Sequence, residues 1–275
     1  MPDPVEAHSG GVYAPVRGVA SRVVQPLRRL VEWDRRRLLG SMVGQLRGVR
    51  VVELGSGDGA LLQLMRAEGA KRVLGIEPAT PAGAGEALAA GGEGAEVLGV
   101  RVEEVDLDQG DWDLVVCWHS LEHLPDPEAA LERISGWLTS GGRLIVAVPD
   151  RSGLQSRIGG DRWFHQDIPR HRSHWSRRGI GLALQRHGFV VERTRHAALD
   201  GGPLGMWQTI LNRLTRQPNF AFRLLKRDAE LKLRPFDLAV TVLMGLPLIP
   251  LAAAAEALAG LAGCGGTLVI GARKP

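Results

Sequence analysis

The chain has 275 residues, 44% of them hydrophobic and 23% charged, with a formal net charge of +4; this composition excludes wholesale disorder and supplies the core of one large domain or two small ones. Its two cysteines, Cys117 and Cys264, each sit in an apolar run, which excludes a disulfide framework and a cysteine-type structural zinc. Residues 51–150 carry eighteen acids against six bases and the rest of the chain twenty-eight bases against twelve acids, so an acidic centre lies between basic flanks, which reads either as two functional surfaces or as solvated helix faces.

The first eleven residues hold two acids and no basic stretch ahead of an apolar run, so no secretory signal is expected and the protein is read as cytoplasmic. Residues 17–47 are arginine-rich, with Val23, Val24, Leu27, Leu30, Val31, Leu38, Leu39 and Val43 spaced for an amphipathic helix and Pro26 at its start or at a kink. Residues 1–48 are thus expected as an N-terminal helical segment. The period then changes: Val49–Leu54 reads as a strand, Gly55–Gly59 as a glycine turn, Ala60–Glu68 as a helix ended by Gly69, and Lys71–Ile76 as a second strand.

Pro78–Gly94 reads as a loose helix of poor propensity, Val97–Val100 as a third strand and Asp113–Trp118 as a fourth. Pro127–Leu138 is expected to be helical, opened by its proline and followed by Gly141-Gly142, with Arg143–Pro149 as a fifth strand. A helix over Arg178–His187, a strand over Phe189–Arg195 and a final strand over Thr267–Ala272 complete the pattern. Strands alternating with helices imply a parallel sheet covered on both faces, an α/β fold.

Residues 197–266 form an insertion too long for a plain connection. Within it Leu238–Ala255 runs eighteen residues without a charge, the lower length of a membrane helix. Gly245, Pro247 and Pro250 argue against a straight span, so the stretch is read as a bent hydrophobic hairpin, either a lid or an element dipping into a membrane surface.

The strongest motif is Glu53-Leu54-Gly55-Ser56-Gly57-Asp58-Gly59, a strand passing through alternating glycines into a helix. Glycines there let the backbone approach a ligand, and the helix start offers free N–H groups. An anion at Glu53 would repel a pyrophosphate and attract an ammonium or sulfonium. Gly75-Ile76-Glu77-Pro78 follows, with an acid at the end of the second strand where ribose hydroxyls are accepted. Further on come Asp113 to Leu124, ending in Leu121-Glu122-His123-Leu124, and the basic and aromatic run Arg162 to Trp175 containing Pro169-Arg170-His171.

In these segments the chain resembles the class I S-adenosylmethionine-dependent methyltransferases, within the subset that carries Leu-Glu-His-Leu and Pro-Arg-His. The resemblance implies a Rossmann-like sheet of seven strands, mostly parallel, with an antiparallel last strand; the domain would comprise residues 49–196 and 267–275, with 197–266 as a lid or membrane contact. It implies S-adenosyl-L-methionine as cofactor, with Glu53, Gly55, Ser56, Gly57 and Gly59 around its methionine end, Glu77 and Pro78 at the ribose, Val102 and Glu103 at the adenine, and His119 in the wall toward the substrate. Where many members place an Asp at the head of the adenine turn, this chain has Arg101.

His119-Ser-Leu-Glu122-His123 also spells an inverted zinc-peptidase motif, but Pro125, Pro127 and the preceding strand deny it the continuous helix it needs. Some quinone and RNA-end methyltransferases hold a divalent ion with Glu-x-x-Glu-His here; with His119 in place of the first Glu, no metal is expected, and Glu122 and His123 are read as helix-capping, hydrogen-bonded groups. His171, His119 and His165 are the candidate catalytic bases, since an imidazole suits a hydroxyl or acid acceptor. The function expected is methyl transfer to an oxygen, ahead of a nitrogen or carbon, of a small-molecule, glycan or lipid-linked acceptor. The hydrophobic hairpin with its basic neighbours Arg223, Lys226, Arg227, Lys232 and Arg234 points to peripheral membrane contact, and an aromatic content of 5% speaks against nucleic acid. The alternatives are a nicotinamide-linked oxidoreductase, which predicts a different glycine spacing, and a non-catalytic module binding through its basic flanks.

Overall fold

The computed structural model describes residues 19–78, 95–196 and 198–275, without the side chains of 19–25 and 27. The expected loose helix over 78–94 falls, but for Pro78, outside the described residues. In chain order the elements are α1 (Val19–Val43), β1 (Arg50–Leu54), α2 (Ala60–Ala67), β2 (Arg72–Ile76), β3 (Ala95–Leu98), β4 (Trp112–Trp118), α3 (Pro127–Trp137), β5 (Leu138–Pro149), α4 (Leu154–Gly159), α5 (Arg177–Arg186), β6 (Val190–Arg195), α6 (Gly202–Leu214), α7 (Phe220–Leu225), α8 (Pro235–Leu261) and β7 (Thr267–Arg273).

The strands form one sheet in the order β3-β2-β1-β4-β5-β7-β6. β1 to β5 run parallel, and β7 lies antiparallel to both β5 and β6, as the resemblance implies. Because the chain winds outward from β1 to β3 and then crosses back to β4, the order reverses between β1 and β4. In an open α/β sheet a crevice opens at that point, beyond the carboxyl ends of the strands. Leu54 pairs with Cys117, so the glycine loop after β1 and the turn after β4 emerge side by side.

Alternation along the buried strands sorts side chains onto two faces. Val52, Val115 and Val146 face α3 and α5 through Leu131, Ile134 and Ile180. Val51, Val116 and Ile145 face α1 and α2 through Leu38, Met42, Leu62 and Met65. Glu53 lies two residues from Val51 and therefore points toward α1. Asp126 caps α3 by accepting from Ala129 N at 3.0 Å, with Pro127 in the first turn. That cap belongs to Asp126 and not to Glu122 or His123, contrary to expectation.

The insertion departs from the expected hairpin: α8 is one continuous helix with Pro247 and Pro250 inside it. Each proline removes an intrahelical hydrogen bond, a cost of about 3 kcal/mol, and three tertiary anchors offset it. Asp237 accepts from Arg216 N at 2.7 Å and Gln217 N at 3.2 Å. Trp207 of α6 donates from Nε1 to the Gly245 carbonyl at 2.7 Å. Near the far end Glu256 accepts from Gly266 N and Gln155 Nε2, both at 2.7 Å.

Candidate active site

Gly55, Gly57 and Gly59 all adopt positive φ, 71°, 53° and 75°, a region that strains any residue with a Cβ. A Cβ at Gly55 would also stand 2.6 Å from Ser120 Cβ, so the loop lies directly against the turn after β4. Gly57 N donates to Glu77 Oε2 at 2.9 Å, which carries the Glu77 carboxylate across the loop. Glu77 N donates to Leu98 O at 3.0 Å, bringing the end of β3 alongside. The short helical turn Val102–Glu104 follows; Val102 is buried in the core and Glu103 is exposed.

Among the described residues, Glu53 Oε2, Ser56 Oγ, Ser120 Oγ and His119 Nε2 are buried without a hydrogen-bond partner. Buried polar atoms are nearly always paired, so these orphans on the segments ending β1 and β4, with Glu122 Oε2 beside them, mark a place built for a ligand. Burial pushes the Glu53 carboxyl well above the usual range, with Arg35 pulling against it and Asp58 and Glu77 adding to it. Arg35 belongs to α1 and pairs with Asp200 at 2.5 Å, and Trp118 Nε1 donates to the same carboxylate at 2.8 Å. Desolvation opposes its ionisation, yet the charges of Arg35 and His119 hold the pKa of the half-buried Asp200 below the usual value.

On the other side of the turn, Glu122 is 2% exposed and ringed by histidines. His119, at a positive φ of 52°, is fixed by its N–H to Ala147 O at 2.9 Å and sets Nδ1 3.4 Å from Glu122 Oε1. Burial opposes both charges, yet Glu122 is drawn down to about 2 by His119, His123 and His171. Its hydrogen bond and charge in turn raise His119 against the same desolvation. Arg172 N and Ser173 N donate to the Glu122 carbonyl at 2.8 and 3.2 Å, which locks the loop carrying His171 onto this turn.

Of the three predicted histidines, His119 and His171 flank Glu122, while His165 lies behind His171. His171 stands beside His123, ring centroids 4.8 Å apart, with Nδ1 2.7 Å from His165 O. A carbonyl only accepts, so His171 Nδ1 holds the proton and Nε2 is its basic atom. Burial lowers the pKa of His171, opposed by the charge of Glu122. His165 stacks behind it, rings 6.0 Å apart, and its Nε2 abuts α6, only 2.8 Å from where a Cβ of Gly205 would stand. Burial takes its pKa well below the ordinary value, the behaviour of a neutral packing group.

Glu122, His123 and His171 each offer a ligand atom, all within 4.8 Å of one another. Two imidazoles and a carboxylate are a donor set that suits a divalent first-row metal.

A family model described as a methyltransferase domain matches residues 18–194. The chain belongs to that family. The C-methyltransferase NovU of Streptomyces niveus is 30% identical over 199 residues, 70% of this chain and 44% of that protein. The ubiquinone biosynthesis O-methyltransferase of Bordetella avium is 32% identical over 132 residues, 47% of this chain and 52% of the relative. The chain thus spans about half the length of these curated relatives.

Among solved structures, geranyl diphosphate C-methyltransferase from Streptomyces coelicolor A3(2) superposes with a TM-score of 0.59 at 15% identity, covering 95% of this chain and 86% of that one. A S-adenosylmethionine-dependent methyltransferase from Mesorhizobium loti gives 0.55 at 18% identity over 88% and 97%. For a methyltransferase domain the cofactor is S-adenosyl-L-methionine, and the oxidoreductase alternative falls. The residues present fit it: a loop of three glycines at positive φ, the carboxylate of Glu77 beside it, and an unpaired buried Glu53 oxygen as partner for an ammonium.

Arg35 and Asp200 were not legible as site residues, because they stand 165 residues apart and neither lies in a local motif.

Proposed function

We propose that this domain transfers a methyl group from S-adenosyl-L-methionine to an oxygen of a small-molecule, glycan or lipid-linked acceptor. The observation that carries the reading is the buried Glu122, set among His119, His123 and His171 on the turn that faces the glycine loop. When bound, the cofactor supplies an electrophilic methyl on a positively charged sulfur. The loop's N–H groups and Glu53 hold the amino-acid end and Glu77 the ribose, which fixes the line of attack, and proximity accounts for much of the rate.

His171, neutral through its lowered pKa and bare at Nε2, takes the hydroxyl proton of the acceptor. Glu122 stays ionised and steadies the imidazolium that forms. His119, its pKa raised by its hydrogen bond to Glu122, is a positioning residue that keeps the carboxylate aimed. The ubiquinone O-methyltransferase relatives support an oxygen acceptor. NovU, a C-methyltransferase matched over a longer stretch, favours a second reading, in which the same base deprotonates an acceptor that is methylated on carbon.

The test is calorimetry with S-adenosylhomocysteine on the wild type and on Glu77→Ala, followed by methyl-labelled cofactor with phenolic, sugar and lipid-linked acceptors. Micromolar binding lost in the variant, and label located by fragmentation on oxygen, support the proposal. Label on carbon turns it to the second reading. Cofactor binding without transfer to any acceptor class points to a non-catalytic module.

A further inference from the structure

We infer that α8 is a docking surface for an anionic lipid bilayer, lying in the plane of the headgroups. The helix has 27 residues and two charges, Asp237 and Glu256, and both are buried, at 0% and 4% exposure. A surface helix of a soluble protein turns its charges outward and its leucines inward. Here the order is inverted: the domain receives Asp237, Gly245, Ala252, Glu256 and Ala259, one stripe at helical spacing. The rest is left to solvent, with Leu243 65%, Leu246 76%, Leu251 63%, Leu258 66% and Leu261 87% exposed.

Only 11% of the most apolar stretch of this helix is buried. Length and composition would let it cross a membrane, but its anchors decide the orientation. Asp237, Gly245 and Glu256 tie its beginning, middle and end to the domain. These ties span nineteen residues, about 28 Å of helix, so α8 lies along the protein for most of its length. Standing it across a bilayer would break all three, whereas lying in the interface breaks none.

Charge selects the bilayer as occupant. From Arg213 to Arg234 the chain carries Arg213, Arg216, Arg223, Lys226, Arg227, Lys232 and Arg234 against Asp228 and Glu230, and most of these bases are exposed. They gather at the start of α8, alongside exposed Leu225 and Leu233. A cationic cluster at one end of an uncharged apolar face matches an anionic headgroup layer over hydrocarbon. The same element backs the histidine loop, because α6 touches α8 through Trp207 and His165 through Gly205. A docked bilayer would therefore lie one helix away from the histidine loop.

The experiment is flotation of the full chain with vesicles of phosphatidylcholine alone or mixed equally with phosphatidylglycerol, for wild type, the double variant Leu246→Glu/Leu258→Glu, and Lys232→Glu/Arg234→Glu. Wild type is expected to float with the anionic vesicles, and each variant or high salt to lower binding by about tenfold. All proteins should keep wild-type circular dichroism and S-adenosylhomocysteine affinity, since the altered side chains are exposed. No flotation of the wild type, no preference for anionic vesicles, or unchanged binding by the leucine variant would overturn the proposal. So would lipid-free dimerisation abolished by that same variant, which would make the face an interface between two copies.

Discussion

Glu122, buried, and His119, half-buried, form a pair whose charges depend on each other. The carboxylate is drawn down to about 2, so its stabilising effect is complete above its ordinary value of 4.5 and is lost as pH falls toward about 2. His119 is raised above 6.5, so its share is complete below 6.5 and fades as pH climbs through the raised value. Glu122→Gln leaves a half-buried imidazolium unpaired and is expected to cost about 1–3 kcal/mol at mildly acidic pH. Urea titrations at stepped pH should show the gap to wild type closing as pH approaches about 2; a gap constant with pH would exclude the ion pair. His171→Ala is expected to retain S-adenosylhomocysteine binding and lose about a hundredfold or more in turnover, and a loss confined to KM would count against its role as base. Gly55→Ala combines a positive φ with a contact at 2.6 Å, so it should abolish cofactor binding on calorimetry. The residues of this site that sequence made legible, Glu53, the three glycines, Glu77 and the histidines, sit in compact motifs. What the spacing could not reveal is that His165 faces α6 and His171 faces Glu122, because a loop's fold decides which way each ring turns.

The elements of the sheet domain were legible nearly to the residue, since strands buried on both faces are unbroken apolar runs and their helices carry proline, glycine or serine signals at the ends. β3 and β5 are the exceptions: β3, only partly buried, lies at Ala95–Leu98 rather than Val97–Val100, and β5 begins at Leu138 rather than Arg143. Gly141-Gly142 reads as a helix stop, yet Gly141 N donates to Lys274 O and Lys274 N to Gly142 O, so the distant C-terminus extends the strand. The same cause undoes the expected hairpin. Pro247 and Pro250 are breakers by local rule, while the anchors that keep α8 whole come from α6, the segment after it and the end of the insertion. Trp207→Phe removes one of them while preserving the ring, and should lower unfolding free energy by about 1–2 kcal/mol in urea and make the Pro247 region exchange amide protons faster. Unchanged protection there would mean that the indole bond does not hold the helix.

Across the whole molecule, Arg35 joins three parts of the chain at the cofactor loop. It rides on α1, whose Leu38, Leu39 and Met42 are buried against the sheet. It pairs with Asp200 beyond β6 and moderates the buried Glu53 at the end of β1. Without Arg35, desolvation of Glu53 is opposed by less positive charge, so its pKa rises further and less of it is ionised at a given pH. An ammonium ligand needs the ionised form. Affinity for S-adenosylhomocysteine should therefore fall as pH is lowered, and in Arg35→Lys the fall should stay near the wild-type position, whereas in Arg35→Ala it should begin at higher pH. Calorimetry across the neutral and mildly acidic range reads this directly. If Arg35→Ala weakened binding equally at every pH, Arg35 would be acting only as the strut between α1 and Asp200, and the electrostatic link to Glu53 would have to be abandoned.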